Sequence, residues 1–321
     1  MAVYLITGVA GFIGSNIARE LVRRGEAIRG FDNFETGKRE NLAGLKEKIE
    51  FRELDLLDTR GLAEFFRGVD YVLHQAAIPS VPRSVEDPVS SHNANINGTL
   101  NVLMAAREAR VRRVVYAASS SAYGDTPTLP KHEAMLPNPM SPYAVQKLTG
   151  ELYLNSFYRV YGVETVSLRY FNIFGPYQDP TSQYSGVLAK FITQMLADKP
   201  CTIFGDGEQS RDFTYVENAV NANLLACNAP AEKVSGRVFN VATATRFSLN
   251  ETFRILAAII GYNGQPKYAP PRAGDVKHSL ADISLAKTAI GYEPTVGFEE
   301  GLSRTVAWYK QALVPAGNAS S

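Results

Sequence analysis

A phenol and an ammonium stand four residues apart at Tyr143 and Lys147, in the stretch PMSPYAVQK. Ser141 reads as a helix N-cap and Pro142 as the first helical residue. YAVQKLTGELYLNSFYRVYG then continues as a helix of about five turns. One turn separates the pair, so both side chains share a face, with a rise of about 6 Å between them. A nearby ammonium and a helix N-terminus both favour the phenolate. A tyrosine of ordinary pKa about 10 becomes a usable base near neutral pH in this way. The chain has 16 tyrosines, so one such spacing carries little alone, although it is the one instance in the sequence. Upstream, the apolar run Arg113 to Ala118 reads as a buried strand that ends at Ser119, Ser120 and Ser121. Ligands of open α/β sheets bind beyond the carboxyl ends of strands, which puts these hydroxyls in reach of chemistry.

These groups need a frame. Val3 to Thr7 is a short β-branched strand, followed by GVAGFIG and the helical SNIARELVRRG. A strand, a glycine turn and a helix form the phosphate-binding unit of a dinucleotide fold. Gly8 permits the tight turn, Gly11 lets the backbone approach a pyrophosphate at the helix N-terminus, and Gly14 lets helix and strand pack closely. The spacing is G-x-x-G-x-x-G rather than the commoner G-x-G-x-x-G, and three glycines also suit a purely structural turn. A second strand, Ala27 to Phe31, ends at Asp32, where a carboxylate accepts from ribose hydroxyls and repels a 2′-phosphate, favouring NAD over NADP. Asp32 equally suits a cap for the turn-rich DNFETG. Ile49 to Leu54 reads as a third strand leading to Asp55 and Leu56 beside an adenine, and Val69 to Leu73 as a fourth leading to HQAA. The alternation predicts an α/β fold, a Rossmann-type doubly wound parallel sheet, with a smaller mixed α/β substrate domain.

Composition narrows the class. The 321 residues are 45% hydrophobic and 20% charged, with a net charge of +1, which gives no case for a nucleic-acid or membrane partner. Cys201 and Cys227 show neither metal spacing nor a disulfide framework, so no metal is expected and a reduced, cytoplasmic setting is. MAVYLITG lacks a basic n-region and is not expected to be a signal peptide. No apolar stretch is long enough to span a bilayer. VPAGNASS (314–321) reads as a flexible tail.

GVAGFIG, Asp32, HQAA, SSSAYG, SPYAVQK and YFNIFGP resemble the extended short-chain dehydrogenase/reductase superfamily over nearly the whole chain. The resemblance implies a Ser119–Tyr143–Lys147 site. Ser119 would hold the reacting sugar oxygen and Tyr143 would act as acid/base. Lys147 would bind the nicotinamide ribose. It implies that NAD is held by Gly8, Gly11, Phe12, Ile13, Gly14, Asp32, Asn33, Gly37, Asp55, Leu56, Gln75, Ala76, Ala77, Asn95, Tyr143, Lys147 and Tyr170. The 4,6-dehydratase branch carries an Asp-Glu pair where this chain has Ser120 and Ser121, and the glutamate usual in the decarboxylases is also absent. The implied reaction is C4 epimerisation of a UDP-sugar through a transient 4-keto intermediate.

HQAAIPSVPRSVEDP, YAASSSAYGDTPTLPK and GDVKHSLADI are similar to the UDP-N-acetylglucosamine 4-epimerases. Ser279 stands where epimerases that reject acetylated sugars carry a tyrosine, which leaves room for a 2-acetamido group. Pro79 departs from the glycine frequent in this branch. The implied substrate set is Ser80, Ser120, Ser121, Asn172, Val187, Thr202, Phe204, Arg211, Arg272, Asp275 and Ser279, with the two arginines suited to a diphosphate. UDP-GlcNAc and UDP-GalNAc lead, with UDP-Glc and UDP-Gal as further substrates. The alternatives are a UDP-glucuronate 4-epimerase, another nucleotide-sugar enzyme of the superfamily, or a non-catalytic dinucleotide sensor. The resemblance also implies a homodimer through two helices per subunit. The candidates are about Asn93 to Ala109 and the Tyr143 helix, whose Leu100, Leu103, Leu148 and Leu152 suit an outward apolar face and suit burial against the sheet equally well. Residues 1–173 and about 211–243 are expected to form the NAD-binding part, with about 174–210 and 244–313 interleaved as the substrate part.

Overall fold

Val3 to Thr7 forms β1 (Val3–Thr7), and the glycine turn delivers the chain into α1 (Phe12–Arg23). The computed structural model describes residues 2–180, 186–271 and 277–313. Arg272, Asp275 and the expected tail at 314–321 lie outside the described residues. The beat continues through β2 (Ala27–Asp32), β3 (Glu50–Glu53), α2 (Thr59–Phe65) and β4 (Tyr71–His74). Then come α3 (Val81–Glu86), α4 (Pro88–His92), α5 (Gly98–Glu108), β5 (Arg113–Ser119), α6 (Pro142–Tyr161) and β6 (Glu164–Tyr170). The next elements are shorter: β7 (Ile173–Phe174), α7 (Val187–Leu196), β8 (Thr202–Phe204), β9 (Ser210–Arg211) and β10 (Thr214–Tyr215). The chain closes with α8 (Val216–Asn228), α9 (Ala231–Val234), β11 (Arg237–Val241), β12 (Phe247–Ser248), α10 (Leu249–Ile260), β13 (Lys267–Ala269), α11 (Ser284–Ile290) and α12 (Phe298–Leu313).

Seven strands form one parallel sheet in the order β11-β6-β5-β4-β1-β2-β3. Winding reverses between β1 and β4, and that switch point opens the crevice in which such sheets bind ligands. Residues alternate between the two faces with the period of two that a pleated strand imposes. Tyr4 and Ile6 of β1 pack into one core with α1 and α8, and Leu5 packs into the other with α2 and α5. The third strand is shorter than the run Ile49 to Leu54. β3 is the sheet edge and mostly exposed, because no strand lies beyond it.

Outside this sheet, β8 pairs with β13 and β9 with β12, while α7, α10 and α12 pack together over the C-terminal half. The helix expected over Asn93 to Ala109 begins earlier, at α4, and passes through one π-turn at Asn93–Asn97 before α5. Of the two readings open for these leucines, Leu103 takes burial against the sheet, whereas Leu152 of α6 is 64% exposed. No described helix is long and apolar enough to cross a membrane. Among the described residues no cluster of His, Cys, Asp or Glu could hold a metal ion, and both thiols are buried.

Candidate active site

The switch point holds a cavity of about 1020 Å³. Its wall includes Gly8, Gly11, Phe12, Ile13, Gly14, Asp32, Asn33, Gly37, Asp55, Leu56, Gln75, Ala76, Ala77 and Ser80. Gly8 adopts φ +68°, and a Cβ there would lie 2.7 Å from the Ala76 Cα. A Cβ on Gly14 would collide with the Gly8 carbonyl oxygen. Gly11 caps α1 without any side-chain hydrogen bond, so the first amides of the helix face the cavity uncovered. A cradle closed to every side chain but hydrogen, with amides and a carboxylate along it, fits the pyrophosphate and adenosine ribose of NAD.

Asp32 clasps the turn, as one of the two readings allowed. It lines the cavity, and its carboxylate also accepts from the Phe34 amide at 2.8 Å and the Ala10 amide at 3.0 Å. Burial pushes its pKa up, against those two hydrogen bonds. Asn33 donates to Asp55 at 2.6 Å, which joins the ends of β2 and β3 where an adenine would lie. Below the cradle, the His74 ring bridges Thr7 Oγ1 (2.7 Å) and Thr99 Oγ1 (3.0 Å). The Thr99 hydroxyl donates to the Asn95 carbonyl, so we assign the ring proton to Nε2. Burial, with Lys147 as a lesser cause, pulls the His74 pKa down to about 3.

Asn95, Tyr143, Lys147 and Tyr170 are not part of the cavity wall. Asn95 lies behind it, clamping the Ile78 backbone (2.8 and 3.2 Å) and donating to Gln146. Tyr170 reaches the wall through Gln75, at 3.3 Å, and accepts from Asn223 at 2.6 Å.

Ser119 ends β5 and caps the turn Ser120–Tyr123. Its oxygen accepts from the Ser121 amide and hydroxyl, at 3.2 and 2.8 Å, and its hydroxyl lies near enough to the Tyr143 phenol to favour the phenolate. Ser141 caps α6 through the Ala144 amide, as expected. The Tyr143 amide is capped by Ser84 of α3 at 3.0 Å, a residue that sequence reasoning missed because the two lie 59 positions apart. Lys147 is 4% exposed, and its Nζ donates to the Ala117 carbonyl at 2.9 Å, 4.8 Å from the Tyr116 ring centroid.

One electrostatic expectation is reversed in the free protein. Burial pushes the Tyr143 phenol above its ordinary value, against the Ser119 hydrogen bond. Burial likewise pulls Lys147 down to about 7, with Glu151 acting upward. The helix geometry is as read, but both groups sit in a low-dielectric site where charge is penalised.

A second cavity of about 270 Å³ opens beside the first, lined by Asn172, Arg211, Val187, Phe213 and Leu249. Asn172 has φ +39° and donates to the Asp212 carbonyl at 2.9 Å. Arg211 donates to the Ser210 and Lys277 carbonyls. Ser279 is 7% exposed, and its amide donates to the Ser210 carbonyl. Thr202 and Phe204 lie on β8, outside the wall of either cavity. Sequence reasoning named none of three cavity residues that follow Gly175. Tyr177, Gln178 and Asp179 reach the larger cavity, Asp179 pairs with Lys38 at 2.8 Å, and Asn16 donates to the Pro176 carbonyl at 3.0 Å.

Comparison with known proteins gives the same picture. The model of the NAD dependent epimerase/dehydratase family matches residues 4–242. The UDP-glucose 4-epimerase of Mycolicibacterium smegmatis is 39% identical over 312 residues, 95% of this chain and 98% of that one. The UDP-glucuronate 4-epimerase of Thermodesulfobacterium geofontis is 35% identical over 325 residues, 98% of each chain. The structure of a UDP-N-acetylglucosamine 4-epimerase from Methanobrevibacter ruminantium, in complex with UDP-N-acetylmuramic acid, matches with a TM-score of 0.93 at 39% identity. It covers 97% of this chain and 99% of that one.

Proposed function

The chain belongs to the NAD dependent epimerase/dehydratase family, and from that premise we propose that it is an isomerase inverting C4 of UDP-hexoses, UDP-GlcNAc and UDP-GalNAc first, with UDP-Glc and UDP-Gal as further substrates. The observation that carries this reading is the meeting of Ser119, Tyr143 and Lys147 at the ends of β5 and α6, beside a cradle that fits NAD. When bound, NAD supplies a hydride acceptor and donor for the sugar C4 and a positive charge near the phenol. Tyr143 takes the proton of the C4 hydroxyl as the C4–H bond breaks, leaving a 4-ketone. Ser119 donates to the same oxygen and steadies it. Lys147 offsets the phenolate charge and anchors the cofactor ribose. With the opposite face of the ketone presented, the C4–H bond would re-form from the hydride NAD supplies as Tyr143 returns the proton to the oxygen.

Ser120 and Ser121 supply no acid for dehydration. Arg211 and Asn172 are proposed for the diphosphate, Val187 for the wall of the nucleotide site, and Ser80 and Ser279 for the sugar. The small Ser279 side chain supports acceptance of a 2-acetamido group. We further propose a cytoplasmic homodimer joined through α5 and α6. The exposed Val145, Leu152 and Val160 support the α6 side of that face. An interleaved division, with the segment around 211–243 belonging to the NAD-binding part, is supported by β11 closing the main sheet beside β6.

The test is proton NMR of UDP-GlcNAc, UDP-Glc and UDP-glucuronate incubated separately with the protein, with and without added NAD. Appearance of the C4 epimer of UDP-GlcNAc supports the full reading. Conversion of UDP-Glc alone overturns the pocket assignment but keeps the mechanism. Conversion of the uronate alone moves the protein to the alternative substrate, and no conversion of any overturns the reading.

A further inference from the structure

Helix α6 carries three ionisable side chains at one-turn intervals, Tyr143, Lys147 and Glu151, and the third has no part in the reaction as described above. Glu151 is 4% exposed. Its two oxygens accept from Nε and Nη2 of Arg169 on β6, at 2.9 and 2.7 Å. Arg169 is itself 3% exposed, and its guanidinium lies 4.6 Å from the centroid of Tyr123. Tyr123 in turn donates to Asn240 of β11 at 2.7 Å. The pair is thus fixed from α6, β6 and the turn after β5. Such a buried pair is weak as a source of stability, because well-packed apolar residues of the same volume often do as well or better. Its placement therefore calls for another role.

Lys147 supplies that role. Its ammonium has one carbonyl partner, and among the described residues no carboxylate lies within ion-pair distance. The titratable or charged groups facing it are Tyr143 and Glu151 on α6, Tyr116 on β5, His74 on β4, and Arg169 on β6 behind Glu151. His74 is neutral and Tyr116 is fully buried as a phenol, and Glu151, whose pKa burial raises, has its charge favoured by the two Arg169 hydrogen bonds and is the candidate anion of the set.

We propose that Glu151, held by Arg169, is a positioning residue that keeps Lys147 protonated and so lets Tyr143 act as the base. The inference rests on the proposed role of Tyr143. Without the carboxylate, Lys147 would sit buried between a carbonyl, an aromatic ring and an unbalanced guanidinium. It would shed its proton more easily, and the phenolate would lose its counter-charge.

The test is a tyrosinate titration in the near ultraviolet, on protein saturated with NAD, with the Tyr143→Phe variant subtracted so that Tyr143 alone is read. In Glu151→Gln the Tyr143 midpoint should rise by about one pH unit. Turnover at fixed pH should fall about tenfold, since a base loses activity with its ionised fraction, with KM unchanged. Glu151→Gln/Arg169→Met removes both charges and restores a neutral core, so it guards against a variant that merely fails to fold. Its midpoint should stay raised. A midpoint equal to wild type in a folded variant of either kind overturns the inference alone. A wild-type Tyr143 that titrates no lower than free tyrosine overturns the proposed role of Tyr143, and the inference with it.

Discussion

Gly14→Ala tests the cofactor cradle most directly. A Cβ on Gly14 would overlap the Gly8 carbonyl oxygen and lie 3.0 Å from its carbon and 3.1 Å from the Val9 Cα. All three are backbone, so no side chain can swing aside. The turn cannot retreat toward β4, because Gly8 already lies against the Ala76 backbone. Helix α1 must instead back away, and such overpacking costs about 1–3 kcal/mol. Alanine's better helix propensity returns about 1 kcal/mol, leaving a net loss of up to about 2 kcal/mol. Displacement also draws the uncovered amides of α1 from the pyrophosphate. A hydrogen bond to a charged group is worth about 1.5–3 kcal/mol, so losing one weakens NAD binding roughly 10- to 150-fold. Thermal unfolding reads the first loss and calorimetric titration with NAD the second. Gly297→Ala is the matched control, since nothing lies within 4 Å of its Cβ position, and it should stay within about 0.5 kcal/mol. If Gly14→Ala binds NAD as wild type does and melts with the control, the close-approach reasoning is wrong.

Tyr143→Phe should keep NAD affinity yet lose turnover by about 10²- to 10⁴-fold; near-normal turnover would remove Tyr143 from the chemistry. His74 binds a proton near pH 6.5 when unfolded but only near 3 when folded, so its contribution to stability is full above 6.5 and lost as pH falls toward 3. Between pH 7 and 5 that loss is about 2 kcal/mol. Asp212 works in the opposite sense, because burial raises its folded pKa to about 6, and protons it gains between 6 and 4 favour the folded state. The His74 contribution is therefore read from urea unfolding as wild type against His74→Gln, whose pH dependence should be shallower by that amount; parallel curves would refute it. Ser279→Tyr should reduce turnover of UDP-GlcNAc far more than of UDP-Glc, and an equal loss on both would place Ser279 outside the sugar pocket.

What the sequence made legible was local. Gly8 and Gly14 announce a turn because their demands lie within a few residues, and Ser141-Pro142 announces a helix start for the same reason. The pairing of Tyr143 with Lys147 follows from helix pitch alone. Hidden were contacts between distant positions. Ser84 meets Tyr143 across 59 residues, and Tyr123 meets Asn240 across 117. The direction of Leu103 depended on which side of α5 the sheet occupies, and its apolar pattern alone could not decide that. The Tyr143 shift was misread for a related reason. Spacing supplies the neighbouring charge, whereas desolvation depends on the strands closing around it.

Asp32 shows how closely scaffold and specificity are joined here. One carboxylate oxygen accepts from Ala10 in the phosphate turn and the other from Phe34 in the next loop. A side chain at Gly37 would lie 2.6–2.8 Å from the same carboxylate. The group proposed to disfavour a 2′-phosphate is thus also the clasp between β2 and the start of α1. Burial penalises its charge, and the two amides that point at it act in the opposite sense. On that proposal, cofactor choice and turn geometry rest on one side chain, and a change made for the first disturbs the second.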